Sequence, residues 1–346
     1  MLKWRQRPQT RVWHVVPFLT ITLLYACGGN PFEADLADYT VRLERVLEQP
    51  PAPPEAASLP AFPAKKRLFL EVQGSHIDLL DFLRLGHCQL QAVVAEKNSS
   101  LGKLAVESVV LQQEVSFLAV IDQCLAQLDN AELRATLLAA REQKRADLDK
   151  ILWNALFAGR EMRQFWSRQS SDHPHTVESR LQYALSTLQQ QTEAVRQRRF
   201  EDFKPAEFEA ALQVLRSGEG AALLHSWHLV AKHLPRATSV AERRVQGKPL
   251  CFEDMRNPKA EYFRNVVLNE FVAGLQKDIA ILNQRYFDVL VPLQALEAEF
   301  TQVETEAYRQ FRHHRDERFK AGLESVQRHV AAIQPLMVQC GFIPEP

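Results

Sequence analysis

The stretch of sequence that decides the fold class is residues 131–166, AELRATLLAAREQKRADLDKILWNALFAGREMRQFW. Its apolar residues recur at three- and four-residue steps, with Gln, Arg, Glu and Lys between them, as in an amphipathic helix. The pattern predicts one long helix that ends at residues 170–174, SSDHP. A second apolar stripe over residues 177–195 predicts that 131–199 form an antiparallel helical hairpin. The core candidates of its first arm are Leu137, Leu148, Leu152, Leu156 and Phe165.

Helical patterns cover most of the remaining chain. Glycine is scarce, at 12 of 346 residues, which suits helices and argues against Gly-rich phosphate loops. The Ser75–Asp78 pair has the Ser-x-x-Asp form of a helix start, and Asn257-Pro258 opens a long helix. The fold is therefore expected to be all-α, a bundle of long helices. The other predicted helices cover roughly residues 33–48, 77–98, 104–128, 205–218, 221–234, 257–292 and 293–334.

Prolines mark the places where helices are expected to stop. Residues 50–63 contain six prolines and should run extended, either as a spacer or as a belt across the folded domain. Residues 67–73, RLFLEVQ, predict a short strand or extended segment. Pro235 is expected to end a helix before a loop over 236–256, and Pro292 to end or kink another.

The N-terminus has the pattern of a secretory signal. Positions 1–11 are basic, the following uncharged stretch is too short to span a bilayer, and it leads into Leu24-Tyr25-Ala26-Cys27. This run looks like the lipobox of bacterial lipoproteins, although Tyr25 replaces the usual small residue. Several acyl chains at Cys27 would anchor the protein stably. The alternatives are an ordinary cleaved signal peptide with a free Cys27 thiol and an uncleaved N-terminal anchor.

Three segments are expected: a signal peptide over 1–26, a lipidated N-terminus with a short helix and Pro-rich spacer over 27–66, and one helical domain over 67–346. Removing residues 1–26 leaves 38 basic and 42 acidic residues, because the four charges removed are all basic. A net negative domain has no global attraction for phosphates, so no nucleic-acid partner is expected.

The remaining cysteines, Cys88, Cys124, Cys251 and Cys340, are an even number in an oxidising compartment. Four cysteines allow three pairings. A helical hairpin turning near Asn98 would bring Cys88 level with Cys124, which favours that pair and leaves Cys251 with Cys340. Buried free thiols are the alternative. No Cys/His spacing indicates a zinc site.

Two clusters are candidates for chemistry. His225 and His228 share a helix face at a spacing that a metal could use, but no third ligand is visible. Glu96 and the serines after Asn98 could supply a base and hydroxyls, although the same residues also suit the capping of two helix ends. The arginine-rich runs at 196–199 and 312–318, and the His313–His314 pair, are interpreted as solvated helix faces, with contact to anionic lipid or an acidic partner as the alternative.

Several segments resemble one known family. Residues 79–83 (LLDFL), Cys88 and residues 95–103 (AEKNSSLGK) resemble an uncharacterised group of gammaproteobacterial lipoproteins, defined as a domain of unknown function of about this whole length. Residues 43–47 (LERVL) and the Pro-rich segment after them fit the same pattern. The resemblance implies an envelope location and supplies no activity.

These patterns predict a lipoprotein anchored to membrane through Cys27. Because Gly28 rather than Asp follows the cysteine, the expected location is the inner leaflet of the outer membrane, facing the periplasm. The expected role is non-catalytic, as an interaction or structural component with an envelope protein partner and no cofactor or metal, and the 131–199 hairpin would be its docking surface. The alternative is a periplasmic enzyme or small-ligand-binding protein with a site near Asn98 or His225.

Overall fold

The computed structural model describes residues 30–54, 58–73, 88–100, 102–167, 179–252, 255 and 257–343. Within these residues the only β pairing is an isolated bridge between Phe252 and Met255, so the predicted all-α fold is confirmed. The α-helices are α1 (Pro31–Leu47), α2 (Lys65–Leu68), α3 (Leu90–Asn98), α4 (Glu107–Ala126), α5 (Ala131–Trp153), α6 (Arg160–Phe165), α7 (Ser179–Arg196), α8 (Pro205–Val214), α9 (Glu219–Gln246), α10 (Pro258–Val266), α11 (Gln276–Arg285), α12 (Val291–Ala298) and α13 (Glu306–Gln339). Turns of 3₁₀-helix cover Gly102–Leu104, Phe200–Asp202 and Leu215–Ser217, and π-helical segments cover Asn154–Ala158, Val267–Leu275 and Tyr286–Leu290.

The centre of the molecule is the long pair α9 and α13, with α1 packed on α9. Trp227 lies against Gly322, and further along both helices Thr238 lies against His329. Because the residue numbers rise in the same direction on both helices, α9 and α13 are parallel. A Cβ at position 322 would lie 2.7 Å from the Trp227 ring, which explains a glycine inside a long helix. A buried cluster of aliphatic and aromatic side chains surrounds this pair.

The other helices pack in local pairs around this centre. Helix α4 packs on α5, and α7 packs on α8. Since α5 and α7 touch each other only slightly, the prediction that 131–199 form a single hairpin is wrong in its pairing. The first arm is also interrupted: a π-helical segment follows Trp153, and Gly159 adopts an extended backbone before α6. Residues 168–178, which contain the predicted break, lie outside the described residues.

Helix α4 is the one described helix that is long and apolar enough to cross a membrane by length and composition. Its surroundings are those of a core helix, because it packs against α3 and α5 and carries a disulfide to Cys88. It also holds a buried carboxylate, Glu114.

The Pro-rich segment after α1 lies on the folded domain as a belt. The Ala52 amide donates to Ser239 Oγ over 2.8 Å, and Arg236 donates back to the Ala52 carbonyl. Further along, the Phe62 ring packs edge-on against Tyr308 and Phe311. The described residues of this segment therefore contact both α9 and α13. Residues 55–57 of this segment are outside the described residues.

The segment predicted as a strand is a short helical turn, α2, followed by extended chain. The Asn154 side chain accepts from the Leu70 amide and donates to the Leu70 carbonyl, each over 2.8 Å. These two bonds replace those that a neighbouring strand would make. Trp153 Nε1 donates to the Leu68 carbonyl. The extended part of the prediction is confirmed, but a helix supplies its partner.

Two prolines do not end helices as predicted. Pro235 lies inside α9, where it removes one backbone bond while Leu234, Ala237 and Val240 stay buried. Residues 236–246 of the expected loop are therefore helical. Pro292 follows the π-helical segment Tyr286–Leu290, and the backbone stays helical through Leu290 and Val291, so this proline does not end the helix. The last helix starts at Glu306 instead of 293, because the Thr305 side chain caps it by accepting from the Tyr308 amide.

Candidate functional site

The four later cysteines form two disulfides, Cys88–Cys124 and Cys251–Cys340, which are the pairs that the sequence favours. Their Cα–Cα distances are 5.5 and 5.1 Å. Cys88 immediately precedes α3, and the turn after Asn98 returns the chain into α4 beside it, as expected from the hairpin. The second disulfide ties the loop after α9 to the end of α13. Cys27 lies outside the described residues, as does the predicted helix start at Ser75–Asp78.

The turn after Asn98 is an exposed helix end. The Ser99 amide bonds the Glu96 carbonyl, and Ser99 Oγ accepts from the Gly102 amide over 3.0 Å. Gly102 lies so close to the Glu96 and Lys97 carbonyls that a Cβ would collide with them. The Glu96 and Asn98 side chains face solvent. These contacts support the capping interpretation of the turn.

Beneath this turn lies a network that the sequence does not reveal, here called the corner network: Glu114, Lys144 and Lys97. Glu114 Oε2 bonds Lys144 and Oε1 accepts from Lys97 over 2.5 Å. Lys144 also lies 4.6 Å from the centre of the Phe117 ring. Burial by itself would raise the pKa of Glu114, but the two lysines lower it below its ordinary value. Burial lowers the pKa of Lys144 in spite of its carboxylate partner.

The histidines of α9 do not converge on a metal site. His233 Nε2 lies 3.2 Å from Glu33 Oε1, which also accepts from Lys232, and these bonds tie α9 to the first turn of α1. Burial lowers the pKa of both His228 and His233. Among the described residues no three His, Cys, Asp or Glu side chains are grouped to hold a metal ion.

The arginine run of α13 is only partly solvated, which corrects the sequence interpretation. Arg315 is fully buried and donates to both Glu297 oxygens over 2.6 and 2.8 Å, and its Nε bonds Asp316. The Tyr308 hydroxyl donates to the same Glu297 over 2.6 Å. We call these four residues the sealed network. Burial and the Glu297 charge raise the pKa of Tyr308. The neighbouring His313 and His314 are exposed, as expected.

A neutral histidine joins the three central helices. The only proton of Thr238 Oγ1 goes to the Leu234 carbonyl, so Thr238 must accept from His329 Nδ1 over 3.1 Å. His329 Nε2 is then free to accept from the Tyr39 hydroxyl over 2.8 Å. Burial lowers the pKa of His329 to about 3. Each ring nitrogen has its partner only while the ring is uncharged.

A surface cleft of about 620 Å³ opens between α1 and the helix formed by α10 and the following π-helical segment. We call it the basic cleft and define it by six lining residues: Arg42, Arg45, Val46, Lys259, Tyr262 and Asn269. The cleft could not be predicted from the sequence, because its two walls are more than half of the chain apart. The sequence contains only a local signal for each wall. Two basic residues lie three positions apart on α1, and Lys259, Tyr262 and Val266 recur at helical spacing on α10.

The basic residues of the cleft differ in the ion pairs that they form with other described residues. Arg42 bonds Asp38 over 2.6 Å and lies 3.1 Å from Glu270, and the Asp38 bond raises its pKa. Lys259 lies 2.7 Å from Glu48 and lowers the pKa of that carboxyl. Other clefts lie along the extended segment after α2 and beside Arg45 on α1, and those described have no lining residue at Asn98 or His225.

The chain was compared with known proteins and families. No curated protein and no solved structure matches it. A family model described as a protein of unknown function, DUF3080, matches residues 36–344 and so spans nearly all of the described helices. The chain therefore belongs to the DUF3080 family of proteins of unknown function.

Proposed function

We propose that this protein is an envelope lipoprotein of the gammaproteobacterial type, with residues 1–26 removed as a signal peptide and Cys27 lipidated. The observation that carries the proposal is the pair of disulfides behind a lipobox-like N-terminus. Disulfides persist in oxidising compartments and are rare in the cytosol. Cys124, Cys251 and Cys340 are also buried, so both bridges are built into the packed core.

The short connection to the first helix supports a domain held close to the membrane. Only Gly28, Gly29 and Asn30 separate Cys27 from Pro31, a chain that spans at most about 14 Å. Asn30 Oδ1 accepts from the Phe32 and Glu33 amides, so the folded domain starts directly at α1. With the Pro-rich segment bound as a belt, little chain is left to act as a spacer between lipid and domain.

The expected role is that of a non-catalytic interaction or structural component at the inner leaflet of the outer membrane. The sealed network and His329 support this role. Arg315 and Tyr308 both bond Glu297, and both ring nitrogens of His329 are bonded, to Tyr39 and Thr238. The partner is expected to be an envelope protein, and the exposed faces of α5 and α7 remain the proposed docking surface.

Labelling with palmitate tests the anchor. Wild-type protein should incorporate label and fractionate with the outer membrane, whereas Cys27→Ser should do neither. Cys88→Ser, which removes a disulfide sulfur but leaves the lipobox intact, is the matched control and should still be labelled. Equal labelling of wild type and Cys27→Ser would reject lipidation at this residue.

In-cell crosslinking with mass spectrometry tests the role. One envelope complex should be recovered with wild-type protein and lost with Cys27→Ser. Charge reversal on the exposed faces of α5 and α7 should reduce recovery in a protein that stays folded and lipidated. Unchanged recovery would exclude those faces as the docking surface.

A further inference from the structure

We propose that the basic cleft binds a small anionic amphiphile, a molecule with a carboxylate or phosphate headgroup joined to an apolar chain. This ligand site goes beyond an anchored interaction role and does not depend on lipidation at Cys27. Its volume of about 620 Å³ falls within the range of pockets that hold small molecules.

The charge of the cleft favours an anion. Its lining contains three basic residues and a single carboxylate, Glu270. Arg45 is exposed and forms no ion pair with any described residue, so its guanidinium has donors available for a headgroup. Arg42 shares its charge between Asp38 and Glu270 and can add a further donor at the same wall. A guanidinium fork matches the oxygens of a carboxylate or phosphate.

The rest of the lining favours an apolar group attached to that headgroup. Val46 and Val266 are partly buried and pack against the core, which gives the cleft an apolar floor. Tyr262 lines the cleft with its side chain 64% exposed, so its aromatic ring is available to a ligand. A fully hydrated inorganic anion would leave this surface unused, whereas an acyl chain or aromatic ring would cover it.

The inner side of the cleft wall is rigid, so the cleft is preformed. The wall continues into the π-helical segment that starts at Val267, and π-helical turns recur at functional sites. On the inner side of this segment, Phe271 is buried and stacks on Tyr39 with ring centres 5.5 Å apart. Asn269 and Glu270 are thereby held toward α1 without a conformational change.

Binding is measured on the full chain in phosphatidylcholine nanodiscs by calorimetric titration with decanoate, decyl phosphate and uncharged decanol, with empty nanodiscs as reference. Both anions should bind more tightly than decanol. Arg45→Glu should weaken decanoate binding about tenfold, the loss of one charged hydrogen bond. Arg163→Glu, at an exposed arginine on α6 that pairs with no described carboxylate, is the matched control and should leave the affinity unchanged.

A second variant tests the cleft without changing its charge. Asn269→Trp fills the cleft from an exposed position and should abolish binding while the thermal unfolding midpoint stays near that of wild type.

The ligand could be a membrane lipid or a free amphiphile, because both can carry an anionic headgroup on an apolar chain. Replacing part of the nanodisc lipid with anionic phosphatidylglycerol distinguishes these two sources. Competition with decanoate would identify a membrane lipid as the ligand, and no competition would identify a free amphiphile. Decanol binding as tight as decanoate, or equal affinities for Arg45→Glu and Arg163→Glu, would overturn the proposal.

Discussion

The sealed network and the corner network both bury an ion pair, but they satisfy it differently. In the sealed network the planar fork of Arg315 covers both oxygens of Glu297, and the Tyr308 hydroxyl adds a third bond. In the corner network a lysine, which is a point charge, cannot cover both oxygens, and a second lysine is needed. That second lysine, Lys97, is 36% exposed, so this network has one end in water.

The difference indicates which buried ion pair stabilises the fold strongly and which keeps a second cation when one is lost. Both oxygens of Glu297 are bonded by the same guanidinium, so loss of Arg315 removes both of these bonds, whereas Glu114 keeps Lys97 if Lys144 is lost. The sealed network should therefore respond far more strongly to loss of its cation.

Replacing Arg315 should have the largest effect. Arg315→Met leaves the Glu297 carboxylate buried without a cation and should lower the free energy of unfolding by about 3–5 kcal/mol, measured in urea. Arg328→Met replaces an exposed arginine on the same helix that has no ion pair among the described residues, and it should change this free energy little. Adding Glu297→Leu should restore part of the loss, since it removes the buried charge that Arg315→Met leaves unpaired. Equal losses of unfolding free energy in Arg315→Met and Arg328→Met would show that the buried ion pair does not stabilise the fold.

The buried histidine of the same region should make stability depend on pH. The pKa of His329 is about 3 in the folded protein, well below that of an unfolded histidine, so only the unfolded state gains its proton as pH falls. Stability should therefore fall from pH 6.5 toward pH 3, by up to about 1.4 kcal/mol per unit. His329→Gln should flatten that slope, whereas His314→Gln, at an exposed position, should not. An unchanged slope in His329→Gln would mean that other groups cause the acid sensitivity.

Replacing Lys144 should have an intermediate effect. Lys144→Met leaves Glu114 with Lys97 alone, so the free energy of unfolding should fall by about 1–3 kcal/mol. The pKa of Glu114 should rise, because its largest favourable charge interaction is removed. Lys66→Met, at an exposed lysine that no described carboxylate pairs with, is the control. A loss as large as that of Arg315→Met would abolish the proposed difference between the two networks.

Replacing Lys97 should have the smallest effect. Its pair with Glu114 is partly exposed to solvent, so Lys97→Met should cost less than about 1 kcal/mol. High salt should reduce the difference from wild type, because exposed charges are screened. A salt-independent loss above that value would show that the Lys97 end of the network is closed to water.

Local pattern predicted much of the fold. Helical spacing identified α1 over 33–48, against Pro31–Leu47 in the structure, and the turn after Asn98 supported the first disulfide. Proline was a poorer guide, because tertiary packing maintained α9 through Pro235. A helical pattern also does not show which side of a helix another helix covers. Arg315 therefore resembled its solvated neighbours, and Glu114 was one carboxylate in an apolar helix.

The basic cleft could not be predicted for a different reason. Each of its walls is an ordinary amphipathic helix face, and only the packing of α10 on α1 brings the basic residues together. Cys27 is the opposite case, because its predicted lipidation depends only on the residues next to it in sequence and not on how the chain folds.

The packing of α1 on α9 and α10 has a consequence for the order in which the protein folds. Helix α1 is the first described element to leave the ribosome, yet its partners follow after more than half of the chain. Until they appear, the apolar side of α1, including Phe32, Leu36 and Leu43, has nothing to cover it. Contacts so distant in sequence form slowly and favour aggregation of incomplete chains. A chain that stops before Glu219 would present this helix to a chaperone or a protease, so the first described helix to be made is among the last to be covered.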